Sequence, residues 1–249
     1  MRQILQYIKH TQKGMNVATV NLANVSTPSF KNMLYTPNVS FLDDSTTAEH
    51  SMPYMQWIRS LDMSQGGIQN VSNPLRCAID GNGFFQVLNP DGSYSYTRDG
   101  NFMINQNNQL AALDGRLVMG QSGEITLQKS YKDFKVSSNG IINATDSDGS
   151  AIEVGQLAMF IIPNPSMMQP ALANSYNLTE NSGDAENIEP GNDGAGMIVG
   201  SSYEDSNIDQ SEELTSFSQL KQTAETLMLI MYQTFKMRKD EIDILKPNS

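Results

Sequence analysis

The sequence is poor in cysteine, in basic residues and in long apolar runs, and each shortage excludes a class of protein. Its one cysteine, Cys77, cannot form a disulfide within the chain. Its 16 Lys and Arg stand against 27 Asp and Glu, which gives a net charge of −11. This balance argues against a nucleic-acid partner or an anionic membrane surface, because both attract positive charge. No apolar run reaches the roughly 18 residues of a spanning helix, so we expect no direct membrane insertion.

The first twenty residues, MRQILQYIKHTQKGMNVATV, do not have the pattern of a cleaved secretory signal. Arg2, Lys9, His10 and Lys13 are spread through them, and they contain neither an apolar central region nor a small-residue cleavage site. These features favour a cytoplasmic protein, or export by a route that leaves the N-terminus uncleaved.

The N-terminal 30 residues carry the apolar spacing of an amphipathic helix. Pro28 lacks a backbone N–H and restricts Thr27, so the helix must end by that point. Gly14 is expected to weaken the helix by about 1 kcal/mol. The predicted N-terminal seam has Thr11 as its polar member and otherwise comprises Ile4, Ile8, Met15, Ala18, Leu22 and Val25.

Residues 205–249 predict a second and longer helix. The run has no internal glycine or proline before Pro247, and its first turns are acidic, as the helix dipole favours. Its apolar residues are spaced by threes and fours almost throughout. The predicted C-terminal seam comprises Leu214, Phe217, Leu220, Ala224, Leu227, Met231, Phe235, Ile242 and Leu245.

The middle of the chain, 54–204, predicts an all-β domain, either a barrel or a sandwich. Short apolar runs alternate with turn residues every 8–12 positions. Hairpins are predicted around Asn89–Gly92, around Asn107-Asn108 and around Asn139-Gly140. The run VGQLAMFIIP predicts one longer strand that ends at Pro163.

These segments together predict an α+β protein. The two terminal helices share one kind of seam, so we expect them to pack on each other, or on neighbouring copies, as a coiled-coil-like shaft domain. The predicted division is an N-terminal helix at 1–30, a polar connector of low regularity at 31–53, the β domain at 54–204 and a C-terminal helix at 205–249.

One stretch of the sequence resembles a calcium-binding loop. NATDSDGSAIEVG offers Asp146, Asp148 and Gly149, but an EF-hand aligned on this glycine would need acidic ligands at Ala144 and Gly155. A tight turn is the favoured interpretation.

No catalytic constellation emerges either. Ser218 and Lys221 have the S-x-x-K spacing but fall beside the seam, as solvated helix positions would. His10 and His50 have no partner at metal or triad spacing, and His10 is interpreted as a surface residue. Cys77 has no nearby base and is interpreted as a small core residue. We therefore predict no enzyme, no metal and no cofactor. The run LMLIMYQTFKM is interpreted as ordinary helix packing rather than as an adaptable binding groove, although both hold if the packing partner is a second copy.

The stretch NLANVSTPSFK resembles the N-terminal signature of bacterial flagellar axial proteins, the family of rod, hook and hook-associated subunits. Ser29 stands where the family usually has glycine, so we expect the backbone there to avoid positive φ. The matching residues, with the proline that follows the helix, are Asn21, Leu22, Ala23, Asn24, Thr27, Pro28, Phe30 and Lys31.

Later blocks resemble the same family in the same order. NPLRCAIDGNGFFQVLNPDGSYSYTRDGNFMIN is similar to its central block, which includes Arg98, and the last helix departs from its usual pattern. The approach to that helix matches at Glu204, Ser206, Asn207, Ile208 and Asp209.

The resemblance implies a basal-body rod protein, with the proximal-rod type favoured over the distal type. Such a subunit would be exported through the flagellar type III apparatus and would assemble in the periplasm, in the basal body. Its partners would be copies of itself and other rod and hook proteins. The assembly would be a hollow helical shaft that transmits torque from motor to hook.

Two alternatives belong to other classes. One is a non-flagellar β-domain binding module or adhesin, oligomerised by its terminal helices. The other is an enzyme, for which the sequence offers no constellation of residues.

Overall fold

A computed structural model describes residues 2–41, 53–127, 131–146, 148–192 and 194–244. The architecture is α+β, as the sequence predicts, with one helix near each end and strands between them. The chain folds into two units, each built from separate segments. The helical unit comprises Met1–Ala23, Met33–Arg59 and Asp209–Ser249, and the β unit comprises Asn24–Asn32 and Ser60–Ile208.

The helical unit contains helices α1 (Arg2–Ala23) and α2 (Gln210–Ile244). Their 22 and 35 residues correspond to lengths of about 33 and 52 Å. Asp209 caps α2, because its Oδ1 accepts hydrogen bonds from the N–H groups of Ser211 (2.8 Å) and Glu212 (3.1 Å).

The two helices pack against each other at Gly14. A Cβ atom at this position would lie 3.3 Å from Cδ1 of Leu220, tighter than ordinary packing. Gly14 therefore permits a close helix–helix approach, which offsets its poor helix propensity. Ala18 and Ala224 are also buried.

The region expected as a connector of low regularity contains a regular strand. Strand β1 (Met33–Phe41) pairs with β2 (Pro53–Leu61), while residues 42–52 lie outside the described part of the chain. Residues 33–59 group with the helices, so the β unit begins its long segment at Ser60 rather than at residue 54.

His10 differs from its interpretation as a surface residue. Its ring is half-buried and stacks on Trp57 of β2, and its Nδ1 lies 2.7 Å from the hydroxyl oxygen of Tyr35 on β1. The partners come from residues 25 and 47 positions away, which one sequence does not reveal.

The β unit holds seventeen strands in its described residues, and the pairings between them are antiparallel. Their order within the ten-stranded sheet is β15-β16-β6-β5-β9-β8-β7, with β10 on β9, and β14 joining β5 to β17. A three-stranded sheet, β11-β12-β13, and the pairs β18-β4 and β19-β3 complete the unit. The strands are β3 (Ile68–Asn70), β4 (Cys77–Asp80), β5 (Phe84–Leu88), β6 (Tyr94–Thr97), β7 (Phe102–Ile104), β8 (Leu110–Ala112), β9 (Leu117–Gly120), β10 (Gly123–Glu124), β11 (Lys132–Val136), β12 (Ile141–Thr145), β13 (Ala151–Gln156), β14 (Met159–Ile161), β15 (Gln169–Pro170), β16 (Ser175–Asn177), β17 (Glu186–Ile188), β18 (Met197–Gly200) and β19 (Ser202–Glu204).

The three predicted hairpins are confirmed as β5–β6, β7–β8 and β11–β12. Their inward side chains form one core, in which Phe85 meets Phe102 edge to face at 5.1 Å between ring centroids. A short 3₁₀ turn, Pro165–Met167, follows β14.

The predicted single strand before Pro163 is wrong. It divides into β13 and β14, which belong to different sheets. Leu157 and Ala158 between them are both buried, whereas a strand with one buried face would bury only every second residue. Leu157 N–H donates to Gly140 O and Ala158 N–H to Met119 O, so the chain leaves one sheet and joins the other at this point.

Candidate functional site

The candidate site is a buried charge cluster in the β unit, and several of its members stand close in sequence to the ends of that unit's segments. Three of the four crossings, the points at which the sequence changes unit, fall near residues 32, 60 and 208. Close to each crossing stands a member of one hydrogen-bonded network: Lys31, Ser64 and Glu204. Two of these residues belong to the sequence blocks that suggested the flagellar resemblance.

Lys31 and Glu204 form the centre of the cluster, and both side chains are fully buried. The ammonium Nζ lies 2.6 Å from Glu204 Oε1 and also donates to the Ser64 carbonyl oxygen at 2.6 Å. The same Oε1 accepts the Gly66 N–H at 2.9 Å. Burial lowers the pKa of Lys31 from its usual value; the Glu204 carboxylate partly opposes this, and Arg98 lowers the pKa further.

Arg98 brings a second cation to the same carboxylate. Its Nε lies 2.8 Å from Glu204 Oε2, and its side chain is 4% exposed. Its two Nη atoms donate to three backbone carbonyls: Nη1 to Gly83 (3.0 Å), and Nη2 to Ile79 (3.2 Å) and Gly81 (3.0 Å). One carboxylate thus holds two buried cations, and removing it would leave both without a counter-charge.

Asn207 ties the three crossing segments together through its side-chain amide. Its Oδ1 accepts the Asn32 N–H at 2.8 Å, and its Nδ2 donates to the carbonyls of Asp62 (2.9 Å) and Ser64 (3.0 Å). Its own N–H donates to Phe30 O at 3.3 Å. The stretch before the last helix is therefore held by amide contacts as well as by charge.

The expectation that Ser29 avoids positive φ is wrong, because its φ is 57°. The conformation is held by two hydrogen bonds. Ser29 N–H donates to the Glu204 carbonyl oxygen at 2.7 Å, and its Oγ donates to the Arg98 carbonyl oxygen at 3.0 Å. The glycine-like geometry is thus kept here with a serine, whose hydroxyl satisfies a buried acceptor.

The buried side chain of Asn21 also joins distant segments by hydrogen bonds, in this case within the helical unit. The side chain is 1% exposed, its Oδ1 accepts the Met33 N–H at 3.0 Å, and its Nδ2 donates to Met33 O at 2.9 Å. The same Nδ2 lies 3.2 Å from Glu213 Oε1 on α2. One amide thus fixes the start of β1 and the first turns of α2 to α1.

The remaining residues of the N-terminal motif mark the end of α1. The helix stops at Ala23, before Pro28, and Thr27 closes a turn by donating its N–H and its Oγ1 to Asn24. Pro28 O accepts Asn174 Nδ2 at 2.7 Å. Phe30 is buried.

The predicted N-terminal seam is only partly buried in the single chain. Ile8 and Ala18 are buried, and Val17, which the seam omitted, is buried with them. The other members are half-buried: Ile4, Met15, Leu22 and Val25.

The predicted C-terminal seam is more open. Ala224 is its one buried member among the described residues, whereas Leu214 and Phe235 are exposed. Leu245 and the side chain of Ile242 lie outside what the structure describes. The half-buried members are Phe217, Leu220, Leu227 and Met231. Before the helix, Ile208 is buried, Ser206 is half-buried and Asp209 is exposed.

Residues 228–237 of α2, which we call the apolar band, show large exposed apolar side chains on successive positions rather than on one stripe. Tyr232 is 66% exposed and Met237 is 60% exposed. A helix that is apolar all round is normally enclosed by other elements. The other exposed members are Met228, Leu229, Ile230 and Phe235.

The other candidates from the sequence that the structure describes have structural surroundings. Asp146 and Gly149 close a turn, since the Gly149 N–H donates to Asp146 O. Cys77 is fully buried, and burial raises the pKa of its thiol. Ser218 and Lys221 are exposed, and Ser218 Oγ donates to Leu214 O. His50 lies outside the described residues.

Across the part of the chain that the structure describes, no three His, Cys, Asp or Glu side chains are grouped to hold a metal ion. The same residues contain no helix that is both long enough and apolar enough to cross a membrane.

Comparison with known proteins identifies the family. Residues 78–144 match the model of the flagellar hook protein FlgE/F/G D1 domain. The flagellar basal-body rod protein FlgG of Buchnera aphidicola subsp. Baizongia pistaciae is 33% identical over 230 residues, which cover 86% of this chain and 87% of that protein. The chain belongs to the flagellar basal-body rod protein family.

Two further relatives extend over similar lengths. FlgG of Buchnera aphidicola subsp. Schizaphis graminum is 31% identical over 229 residues, covering 86% of this chain and 87% of that protein. FlgG of Bacillus subtilis is 28% identical over 227 residues, covering 84% of each chain. The rod-protein family therefore accounts for both units, and a non-flagellar binding module is not favoured.

Proposed function

We propose that the chain is a structural subunit of the flagellar basal-body rod, and that its copies polymerise into a hollow helical drive shaft that transmits torque from motor to hook. The apolar band carries this proposal. Burying a large apolar side chain stabilises by about 1.5–3 kcal/mol, so a chain that leaves six such residues exposed in one segment is suited to association.

The contacts made by the apolar band would be heterologous, so that each copy could bind a further copy. A surface that meets a different surface on the next copy produces a ring or, if the rotation does not close, a helical filament. In such a shaft the terminal helices of neighbouring copies would pack side by side in a coiled-coil-like manner. The partners would be further copies and other rod and hook proteins.

The buried charge cluster would supply the stiffness that torque requires. It joins the segments near residues 31, 64 and 204 by charged hydrogen bonds that are shielded from water. Export through the flagellar type III apparatus and assembly in the periplasm follow from the rod role. The sequence favours the proximal part of the rod.

Replacing Leu229 by Asp tests the role of the band. Leu229 is 56% exposed in the single chain, so the substitution should leave the subunit folded. In a packed shaft the same charge would be buried without a partner, at a cost of several kcal/mol per copy. We expect a strain that carries Leu229→Asp in place of the normal gene to lose swimming and rods.

Gln222→Asp is the matched control, because Gln222 is exposed on the same helix outside the band. It should retain rods in isolated basal bodies. Normal rods in the Leu229→Asp strain would show that the apolar band does not take part in assembly. Loss of rods in both strains would show that α2 does not tolerate an added acidic residue at either position.

A further inference from the structure

The helical unit contains a contact of three aromatic rings that the assembly role does not use. His10 on α1 stacks on Trp57 of β2, with 5.0 Å between centroids and 12° between planes. Tyr35 of β1 stacks on the same Trp57 at 5.1 Å and 20°. His10 Nδ1 lies 2.7 Å from the Tyr35 hydroxyl oxygen. All three side chains are half-buried, so water and protons reach them.

The contact is compatible with both charge states of His10. In the neutral ring Nδ1 can accept the Tyr35 O–H, and in the charged ring Nδ1–H donates to the same oxygen. The hydrogen bond therefore survives protonation with its direction reversed. Protonation adds an attraction between the cation and the face of Trp57, because the centroid separation is below the 6 Å limit for such contacts.

Of the surrounding charges, the cations oppose protonation of His10 and Glu225 favours it, but all of them are solvated. Lys9 and Lys13 flank His10 on α1, and Arg59 of β2 acts on Tyr35. The Asn21–Glu213 and Gly14–Leu220 contacts set the helix pairing, which places Lys221 and Glu225 of α2 on either side of the level of His10. These five charged residues are exposed, so salt screens them more than it screens a stacked pair.

We propose that His10 is a proton-operated latch, which holds the β1–β2 strand pair more firmly to α1 when its ring is charged. Histidine is the side chain whose charge ordinarily changes between pH 5 and 8, and this sets the pH range of the test. The latch joins α1 to the β1–β2 pair, the two N-terminal segments of the helical unit. It does not depend on polymerisation.

The chain itself provides the probe, because Trp57 is its one tryptophan. We expect the Trp57 emission of the full chain, in 0.15 M salt, to fall along a single titration between pH 8 and pH 5, since a charged imidazole quenches a stacked indole. After correction for intrinsic exchange rates, hydrogen exchange at 33–37 and 57–61 should slow by about two- to fivefold over the same range, the size of one solvated ring–cation contact.

His10→Gln keeps a polar side chain but cannot be charged, and it should abolish both changes. His50→Gln, the chain's other histidine, is the control and should leave both intact. The proposal is overturned if the titration persists in His10→Gln, or if exchange at these strands becomes faster rather than slower on acidification of the unaltered chain.

Discussion

Ser29 holds φ at 57°, where a residue with a Cβ is strained. Serine nevertheless offers something that glycine cannot, since its hydroxyl satisfies the Arg98 carbonyl oxygen in a site that is 1% exposed. The strain and the hydrogen bond each amount to about 1 kcal/mol and have opposite signs.

Ser29→Gly and Ser29→Ala both remove the hydroxyl, but only glycine also relieves the strain, so we expect Ser29→Gly to cost about 1 kcal/mol less than Ser29→Ala in urea unfolding. Ser29→Ala keeps the strain, loses the bond and leaves a buried carbonyl unpaired, so it should destabilise by about 1–3 kcal/mol. Equal effects of the two substitutions would show that the backbone at this position is not strained.

Glu204 should be the least replaceable charged residue of the β unit. Glu204→Gln leaves Lys31 and Arg98 buried without a counter-charge, and we expect a loss of about 3–5 kcal/mol in the free energy of unfolding. Glu180→Gln makes the same chemical change at an exposed site and should stay within about 0.5 kcal/mol. Denaturant unfolding of the purified variants measures both, and a loss below 1 kcal/mol for Glu204→Gln would contradict the cluster.

At the scale of elements, the local sequence pattern predicts the structure where the contacting residues are close together in the chain. The hairpin at Asn89–Gly92 follows from its turn residues, and α2 follows from its spacing and its acidic first turns. The break between β13 and β14 could not be predicted, because the run through Leu157 and Ala158 is apolar throughout and does not show where the chain changes sheet.

The candidate site was predicted only as separate residues. The family resemblance singles out Lys31 and Glu204, but they lie 173 positions apart, and a single sequence gives no sign that they meet. The resemblance likewise places Asn21 in the motif but does not indicate that it holds β1. Its partner Met33 begins a strand in a region that the sequence predicts to be an irregular connector.

Asn21→Leu tests the attachment of β1 to α1. The substitution keeps the branched shape of the side chain but leaves the half-buried N–H and C=O of Met33 without these partners, which should cost about 2–6 kcal/mol at about 1–3 kcal/mol for each unpaired group. We expect the Met33 amide to lose its protection from hydrogen exchange. Asn16→Leu, at an exposed position on the same helix, is the control and should leave that amide protected.

For the whole molecule, charge is divided very unevenly between the two units. The helical unit carries 10 acidic and 9 basic residues, whereas the β unit carries 17 acidic and 7 basic residues. Almost all of the net charge of −11 therefore resides in the β unit. The nearly neutral unit is the one with the apolar band.

Copies brought together through their helices would repel one another through their β units. We expect the critical concentration for polymerisation to fall as salt rises from about 0.01 M to 0.15 M, because the Debye length shortens from about 30 Å to 8 Å. Sedimentation of the purified chain measures it.

A variant with Glu180→Gln, Glu186→Gln and Glu189→Gln, all at exposed positions, should polymerise at lower salt than the unaltered chain. Equal salt dependence of the two chains would show that repulsion between β units does not limit assembly.

Each unit is built from segments that are far apart in the sequence, and this determines when it can fold. A chain that emerges N-terminus first presents Lys31 early, yet Glu204 appears only after 173 further residues, and α2 follows later still. Neither unit can close before the last fifth of the chain has arrived, because contacts between distant segments form only when both are present. For the exported rod subunit proposed above, the chain would therefore remain open during passage and would close only once its last segments have emerged.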